Sequence, residues 1–272
     1  MKKTVVGITV VGRDREGIVA TFTNFAFSKG GNIEKVNQNV IKNLFGMYLE
    51  VSFSKKIDVK KFDTEIQNLA KREKMDVNTH HETNLEKNIA IFVTKEPLCL
   101  QTFIANRKVL KGKISVIIGT EKSLESIAKK AKIPFITIEE KIIQICKKYN
   151  IDLISLARYM RILSPNFVWR YPNRIINIHP SLLPAFPGAS AYAQAYERGT
   201  KIVGVTSHYV TENLDQGPII FQDSFKVDPN DTLEKIKAKG QKLEADTLLK
   251  ATKMHLENKL EVRWRKVHIK SK

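Results

Sequence analysis

Asn177, His179 and Asp215 are the side-chain types that work on a carbonyl carbon: an amide that donates, an imidazole that carries a proton and a carboxylate that accepts one. Asn177 and His179 stand two residues apart at the end of the apolar run Ile175-Ile176, so in a strand they share a face. Pro180, Pro184 and Pro187-Gly188 then break regular structure and impose a shaped loop. Residues 202–210 read as a second extended segment that carries His208 and ends at Val210. The turn-forming run 211–218 follows and contains Asp215. On types and spacing alone, the same residues also suit caps and turns. His208, inside an apolar strand, reads first as a satisfied core histidine. Ser181 has no adjacent base and reads as a loop hydrogen-bonder.

The elements that must position these groups are legible upstream. From residue 88 unbroken apolar strands alternate with amphipathic helices: strands near 88–94, 113–119, 134–138, 152–157 and 174–178, with helices between the first four. Such alternation predicts a mostly parallel, doubly wound sheet covered on both faces. Ligands of such sheets bind outside the carboxyl ends of the strands, where Asn177 and His179 fall. The first strand–helix turn, Thr94-Lys95-Glu96-Pro97, has no glycine, so it forms no glycine-rich phosphate cradle and a nucleotide cofactor is not expected. Residues 158–163 follow the fourth strand as a pocket wall or an ordinary turn, with Arg161 available to a carboxylate or a flat ring. A helix over 232–260 carries a broad apolar stripe, with Gly240 expected to bend or interrupt it.

The first eighty residues read differently. Strand 4–11, helix from Ile18, strands 32–40 and 45–53, helix 59–72 and strand 75–81 give the order βαββαβ, the split ferredoxin-like arrangement. Asp14 is the expected cap of the first helix, and Gly30-Gly31-Asn32 its stop. The resulting class is α/β, with a small module over 1–83, a polar linker over 84–88 and a larger domain over 89–272. His80-His81 lack a third ligand at metal spacing and no metal is expected.

Composition narrows the setting. Hydrophobic residues make up 42% and charged residues 27% of the 272, enough for a buried core. No apolar run reaches membrane-spanning length, and the Met-Lys-Lys start leads into a strand pattern rather than a signal core, which predicts a cytoplasmic protein off the membrane. Cys99 and Cys146 are far apart and read as reduced thiols. The net charge of +18 is spread over nearly every segment, as solvated helix faces are. It also suits an anionic substrate, while nucleic-acid binding is disfavoured. The dense basic tail, 262–272, alternates like an edge strand.

Two stretches carry a family resemblance. Asn177-x-His179-Pro180-Ser181-Leu182-Leu183-Pro184, then Pro187-Gly188, Gly204-Val205-Thr206-x-His208 and Leu214-Asp215-x-Gly217-Pro218-Ile219-Ile220 resemble the formyltransferase family that handles 10-formyltetrahydrofolate, over about residues 88–260. Gly12-Arg13-Asp14-Arg15-Glu16-Gly17-Ile18-Val19-Ala20 resembles the ACT domain, a small regulatory module. The pairing of the two, with Ala157-Arg158-Tyr159-Met160, is similar to the family's hydrolytic, deformylase branch.

The resemblance implies Asn177, His179 and Asp215 as catalytic residues and Met160, Arg161, Ile162, Leu163, Gly188, His208 and Val210 as the folate site. It also implies an amino-acid effector near Asp14, Gly30, Gly31 and Asn32, with subunit pairing alone as the equal alternative, and a homo-oligomer. No permanently bound cofactor is expected. The implied reaction releases formate and tetrahydrofolate, feeding purine synthesis and balancing the one-carbon pool. Two departures from that branch, His179-Pro180 and Gly119-Thr120-Glu121-Lys122, keep a small amine open as the alternative acceptor.

Overall fold

The computed structural model describes residues 4–81, 86–138 and 141–270. The chain divides into two compact units, Met1–Leu85 with Leu163–Pro172, and Glu86–Ile162 with Asn173–Lys272. The sequence boundary near 84–88 falls partly outside the described residues. At its far end, Lys87 and Asn88 already belong to a strand rather than a linker.

In the first unit, β1 (Thr4–Arg13), α1 (Ile18–Ser28), β2 (Asn32–Ile41), β3 (Leu44–Phe53), α2 (Val59–Arg72) and β4 (Asp76–His81) follow the expected order. The sheet runs β2-β3-β1-β4 and is antiparallel throughout. Ile8, Leu49, Val51, Phe22, Ile66 and Phe62 fill its core. Each such side chain, fully buried, contributes about 1.5–3 kcal/mol of transfer free energy. Asp58 caps α2 by accepting from the Lys61 N–H at 3.1 Å. Asp14 does not cap α1. Gly17, at φ +80°, takes that place because the chain must turn through the left-handed region there, and the Asp14 N–H instead donates to Asn43 O at 2.9 Å.

The excursion Leu163–Pro172, with α6 (Pro165–Val168) inside it, groups with this unit for packing reasons. A Cβ on Gly46 of β3 would stand 2.2 Å from Trp169 Cε3, so the indole lies flat on a strand that only glycine permits. Arg170 donates to Asp76 at 3.0 Å.

The second unit opens with β5 (Lys87–Val93), α3 (Pro97–Ala105), β6 (Gly112–Gly119), α4 (Glu125–Lys130), β7 (Phe135–Thr137), α5 (Ile142–Lys148) and β8 (Leu153–Ala157). β9 (Ile175–His179), α7 (Ala191–Glu197), β10 (Ile202–Tyr209), β11 (Ile219–Lys226) and α8 (Leu233–Leu256) complete the domain. The seven strands lie in the order β11-β10-β9-β8-β5-β6-β7. β7 to β9 through β5 are parallel, and β10 and β11 join antiparallel at one edge. The strand order reverses between β5 and β8, the point where open α/β sheets leave a crevice.

α8 packs along β8, β9, β10 and β11 and against α3. It runs unbroken through Gly240, so the expected interruption does not occur. A Cβ there would lie 2.3 Å from the Tyr192 ring, so packing rather than flexibility selects the glycine. The basic tail is a hairpin, β12 (Leu260–Arg263) with β13 (Lys266–Ile269), and not a single edge strand; Trp264 and Arg265 form its left-handed turn. Among the described residues, no helix is long and apolar enough to cross a membrane.

Candidate active site

β9 and β10 set the site by register. Asn177 stands directly opposite His208, and His179 opposite Thr206. Facing residues in a pair are close enough to bond, and Asn177 Nδ2 lies 3.3 Å from His208 Nε2. A bulge in the β10–β11 ladder between Ser207 and His208 re-aims that histidine. His208 Nδ1 lies 2.9 Å from Tyr209 O; a carbonyl only accepts, so Nδ1 carries the proton. Burial pushes the ring below its ordinary value of 6.5, partly offset by that hydrogen bond and by Asp215. A neutral ring then offers its Nε2 lone pair to the Asn177 N–H, which orients the amide.

Asp215 arrives from the loop between β10 and β11, at φ +55°. Its turn is held tightly: a Cβ on Gly217 would fall 1.6 Å from Tyr209 O. One carboxylate oxygen accepts the Gly188 N–H at 3.1 Å and lies 3.4 Å from His179 Nδ1. The other is 3.8 Å from His208 Nε2, a contact of two acceptors while that ring is neutral. His179 Nε2 lies 2.9 Å from Phe186 O and must therefore donate to it. Asn177, His179, His208, Asp215 and Gly188 thus form one connected network, with both rings and the carboxylate almost fully buried.

The loop that presents Phe186 and Gly188 is tied to the sheet. Thr206 Oγ1 donates to Ser181 O at 2.7 Å and accepts from Leu183 N at 3.0 Å. Gln222 Nε2 donates to Leu183 O and to Thr206 Oγ1. Ser181 donates to Ala185 O within the loop. The clamping role of Thr206 and Gln222 escaped sequence reasoning; Thr206 was marked only as a member of the Gly204-Val205-Thr206-x-His208 motif, and Gln222 only by its polarity within β11.

The other expected residues scatter more. Met160 and Ile162, 65% and 79% exposed, stand with exposed Arg161 on the loop after β8, whose Met160 N–H donates to Thr94 Oγ1 at 3.0 Å. Leu163 belongs to the first unit. Val210 N–H pairs with Ile175 O at 2.9 Å, extending the β9–β10 contact. In the first unit, Gly31 is required by packing, since a Cβ would meet Val51 Cγ1 at 2.4 Å, and the exposed Asn32 side chain donates to Glu34. Gly30, at φ +75°, has open space around it. His81 pairs with Asp63 at 2.9 Å. Among the described residues, no group of three His, Cys, Asp or Glu side chains is placed to hold a metal ion.

A second polar cluster was not foreseen. Glu244 on α8 is fully buried; Arg158 Nη1 donates to one of its oxygens at 3.1 Å and Tyr192 OH to the other at 2.7 Å. Burial raises the Glu244 carboxyl, against the pull of Arg158 and Tyr192. A charged residue in the row Ile236, Gly240, Glu244, Leu248, otherwise apolar at every fourth position, was the available signal.

A ferredoxin-like module and an open α/β sheet carrying an Asn–His–Asp network at its strand ends define an ACT-linked formyl-transfer fold. Residues 87–252 match the formyl transferase family and residues 4–80 the ACT domain. The chain belongs to the formyltetrahydrofolate deformylase family. It is 39% identical over 262 residues to the formyltetrahydrofolate deformylase of Bacillus subtilis, covering 91% of this chain and 87% of that protein. The fold is similar to a crystal structure of a formyltetrahydrofolate deformylase from Pseudomonas syringae, with a TM-score of 0.67, 29% identity and coverage of 99% and 95% of the two chains. A glycinamide ribonucleotide transformylase from Symbiobacterium toebii is similar over 71% of this chain and 97% of its own, with a TM-score of 0.65 and 30% identity.

Proposed function

We propose that this chain hydrolyses 10-formyltetrahydrofolate to formate and tetrahydrofolate, supplying formate for purine synthesis and balancing the one-carbon pool. The observation that carries the mechanism is the facing pair His179 Nδ1 and Asp215 Oδ2, 3.4 Å apart. His179 Nε2–H donates to Phe186 O, so in the neutral ring Nδ1 faces the Asp215 oxygen acceptor to acceptor, and a proton placed between them would bond both. General-base attack by water delivers one.

In this reading a water oxygen bonds to the formyl carbon while the His179–Asp215 pair takes a water proton. The second N–H of the Asn177 amide donates to the oxyanion, a contribution of about 2.7–4 kcal/mol where such donors have been removed. The carbon–nitrogen bond then breaks, and N10 of the pterin carrier takes the proton back from the pair. His208 holds the Asn177 amide in the donating orientation. Exposed Met160, Arg161 and Ile162 offer apolar and cationic surface to the folate. The protein acts without a bound cofactor, in the cytoplasm, as a homo-oligomer assembled or regulated through its ACT module.

Incubation of the purified chain with 10-formyltetrahydrofolate and no amine tests this. Formate release over many turnovers is expected. Release that appears only when an amine is added, with the formyl group on that amine, would replace hydrolysis by transfer.

A further inference from the structure

The mechanism above leaves Arg158, Tyr192 and Glu244 unused, yet the fold takes on three unfavourable features to seat them. Arg158 sits at φ +61°, a region that side chains other than glycine enter at a cost of order 1–3 kcal/mol. Gly240 places in a helix interior the residue about 1 kcal/mol worse than alanine there, and it leaves room for the Tyr192 ring on α8. Glu244 is a carboxylate with no exposure, and pairing a buried charge rarely stabilises a fold beyond an apolar substitute. Arg158 Nε is itself buried without a hydrogen-bond partner among the described residues. Stability does not account for this arrangement.

Its location does. Leu156 of β8 pairs with Asn177 of β9, and Arg158, just past the end of β8, leaves the sheet at the same end as His179. Asp215 and His208 reach His179 from the β10 side. Arg158, and Glu244 bonded to it, therefore stand on the β8 side of β9, opposite β10, and the Glu244 carboxyl feels the charge of His179. An amine lodged on that flank would find a buried carboxylate there to hold its charge.

We propose that Arg158 is a built-in occupant of the acceptor side of the site, its guanidinium filling and neutralising the ground before Glu244 that an amine would take, so that water alone attacks. The inference rests on the hydrolytic reading and deepens it. Arg158 and Glu244 determine specificity; they do not touch the reacting atoms.

The test is Arg158→Gly, which suits the left-handed backbone, assayed with 10-formyltetrahydrofolate. Hydrolytic kcat is expected to fall on the order of 100-fold. Millimolar guanidinium is expected to restore part of it by refilling the vacated space. Glycinamide, a small amine that is cationic below its pKa, is expected to become a substrate: its ammonium gives one proton to solvent, the freed nitrogen bonds to the formyl carbon, the bond to N10 breaks, and N10 takes the amine's second proton. Arg158→Gly combined with Glu244→Gln is expected to lose both rescue and transfer. Wild type is expected to make no formylglycinamide. An Arg158→Gly protein that hydrolyses like wild type, ignores guanidinium and formylates nothing overturns the proposal, as does amine formylation by wild type. If Arg158→Gly does not fold, Arg158→Lys decides: retained hydrolysis without transfer supports the cationic occupant, and loss that guanidinium does not rescue overturns it. Formate release by wild type without amine, measured alongside, judges the hydrolytic reading separately.

Discussion

Replacing Asp215 by asparagine isolates its charge from its shape. The backbone at φ +55° is one that asparagine adopts more readily than most residues, so the turn is expected to survive. The amide oxygen can still accept the Gly188 N–H now bound at 3.1 Å, losing only the charge-assisted part of that bond, about 1 kcal/mol. The folded protein should therefore unfold within about 2 kcal/mol of wild type in urea. Catalysis should suffer far more. The carboxylate oxygen 3.4 Å from His179 Nδ1 is one of the two acceptors in the proton-taking pair, and an amide nitrogen or oxygen there accepts no proton. Loss of a general base lowers rates by about 10²–10⁴-fold, equivalent to roughly 2.7–5.4 kcal/mol of barrier at 1.36 kcal/mol per tenfold. Because the folate surface proposed on Met160, Arg161 and Ile162 is untouched, KM should stay within about threefold. Formate release coupled to formate dehydrogenase gives both constants. A kcat within about tenfold of wild type, in a protein that is folded by its urea curve, would refute the role given to Asp215.

Gly217→Ala should cost about 3 kcal/mol or more in urea denaturation, because its Cβ would fall 1.6 Å from the Tyr209 carbonyl; an unchanged midpoint would mean that the turn relaxes freely. Formate release should fall with it, since that carbonyl fixes His208. Burial keeps the folded His208 ring below 6.5, so the unfolded chain binds its proton first as pH falls. This contribution to stability is complete above about 6.5 and is lost as pH drops below that value toward the folded one; His208→Asn should flatten the pH dependence of the denaturation midpoint there, and an unaltered slope would contradict it. Cys99 and Cys146 are buried free thiols, and burial pushes Cys99 up to about 12, so a disulfide reagent at neutral pH should label the native protein at least about a hundredfold more slowly than the urea-unfolded chain. Rapid stoichiometric labelling of native protein would show that α3 opens readily.

What was legible in the sequence was periodic or local. Apolar strands such as 113–119 and 152–157, buried on both faces, announce a covered parallel sheet. The two-residue spacing of Asn177 and His179 puts both on one face of β9 from the pleat alone. Asp215 was marked by its motif and its turn, but no spacing says that a residue in the loop after β10 returns to His179. That depends on the Gly217 turn and on the bulge at His208, which follow from ladder register and not from composition. Gly240 was misread for a related reason. Within α8 it is a helix breaker, and only the Tyr192 ring, 48 positions earlier in the numbering, explains it. Asp14 failed as a cap because Gly17 supplied the left-handed conformation at which α1 starts. The grouping of 163–172 with the first unit was not foreseen, since an indole packed on Gly46 is invisible to any local pattern.

The loops around the reaction centre share one physical device. Arg158, Phe186, Gly188, Ser190 and Asp215 all have positive φ, and four of the five are not glycine. At about 1–3 kcal/mol apiece, such conformations persist only where the surroundings over-determine them. The determinants are hydrogen bonds: Thr206 and Gln222 clamp the loop that carries Phe186, Gly188 binds Asp215, and Glu244 holds Arg158. Strained loops pinned to a rigid sheet keep a carbonyl, an imidazole, an amide and a carboxylate at bonding distance before any ligand arrives. Preorganisation of that kind is what a proton-transfer site requires, because groups already in place need no reorganisation as charge develops. It follows that loosening the clamp should act on kcat more than on folding. Thr206→Val, which keeps the β-branched shape and removes the hydroxyl shared by Ser181, Leu183 and Gln222, is the substitution in which those two effects separate.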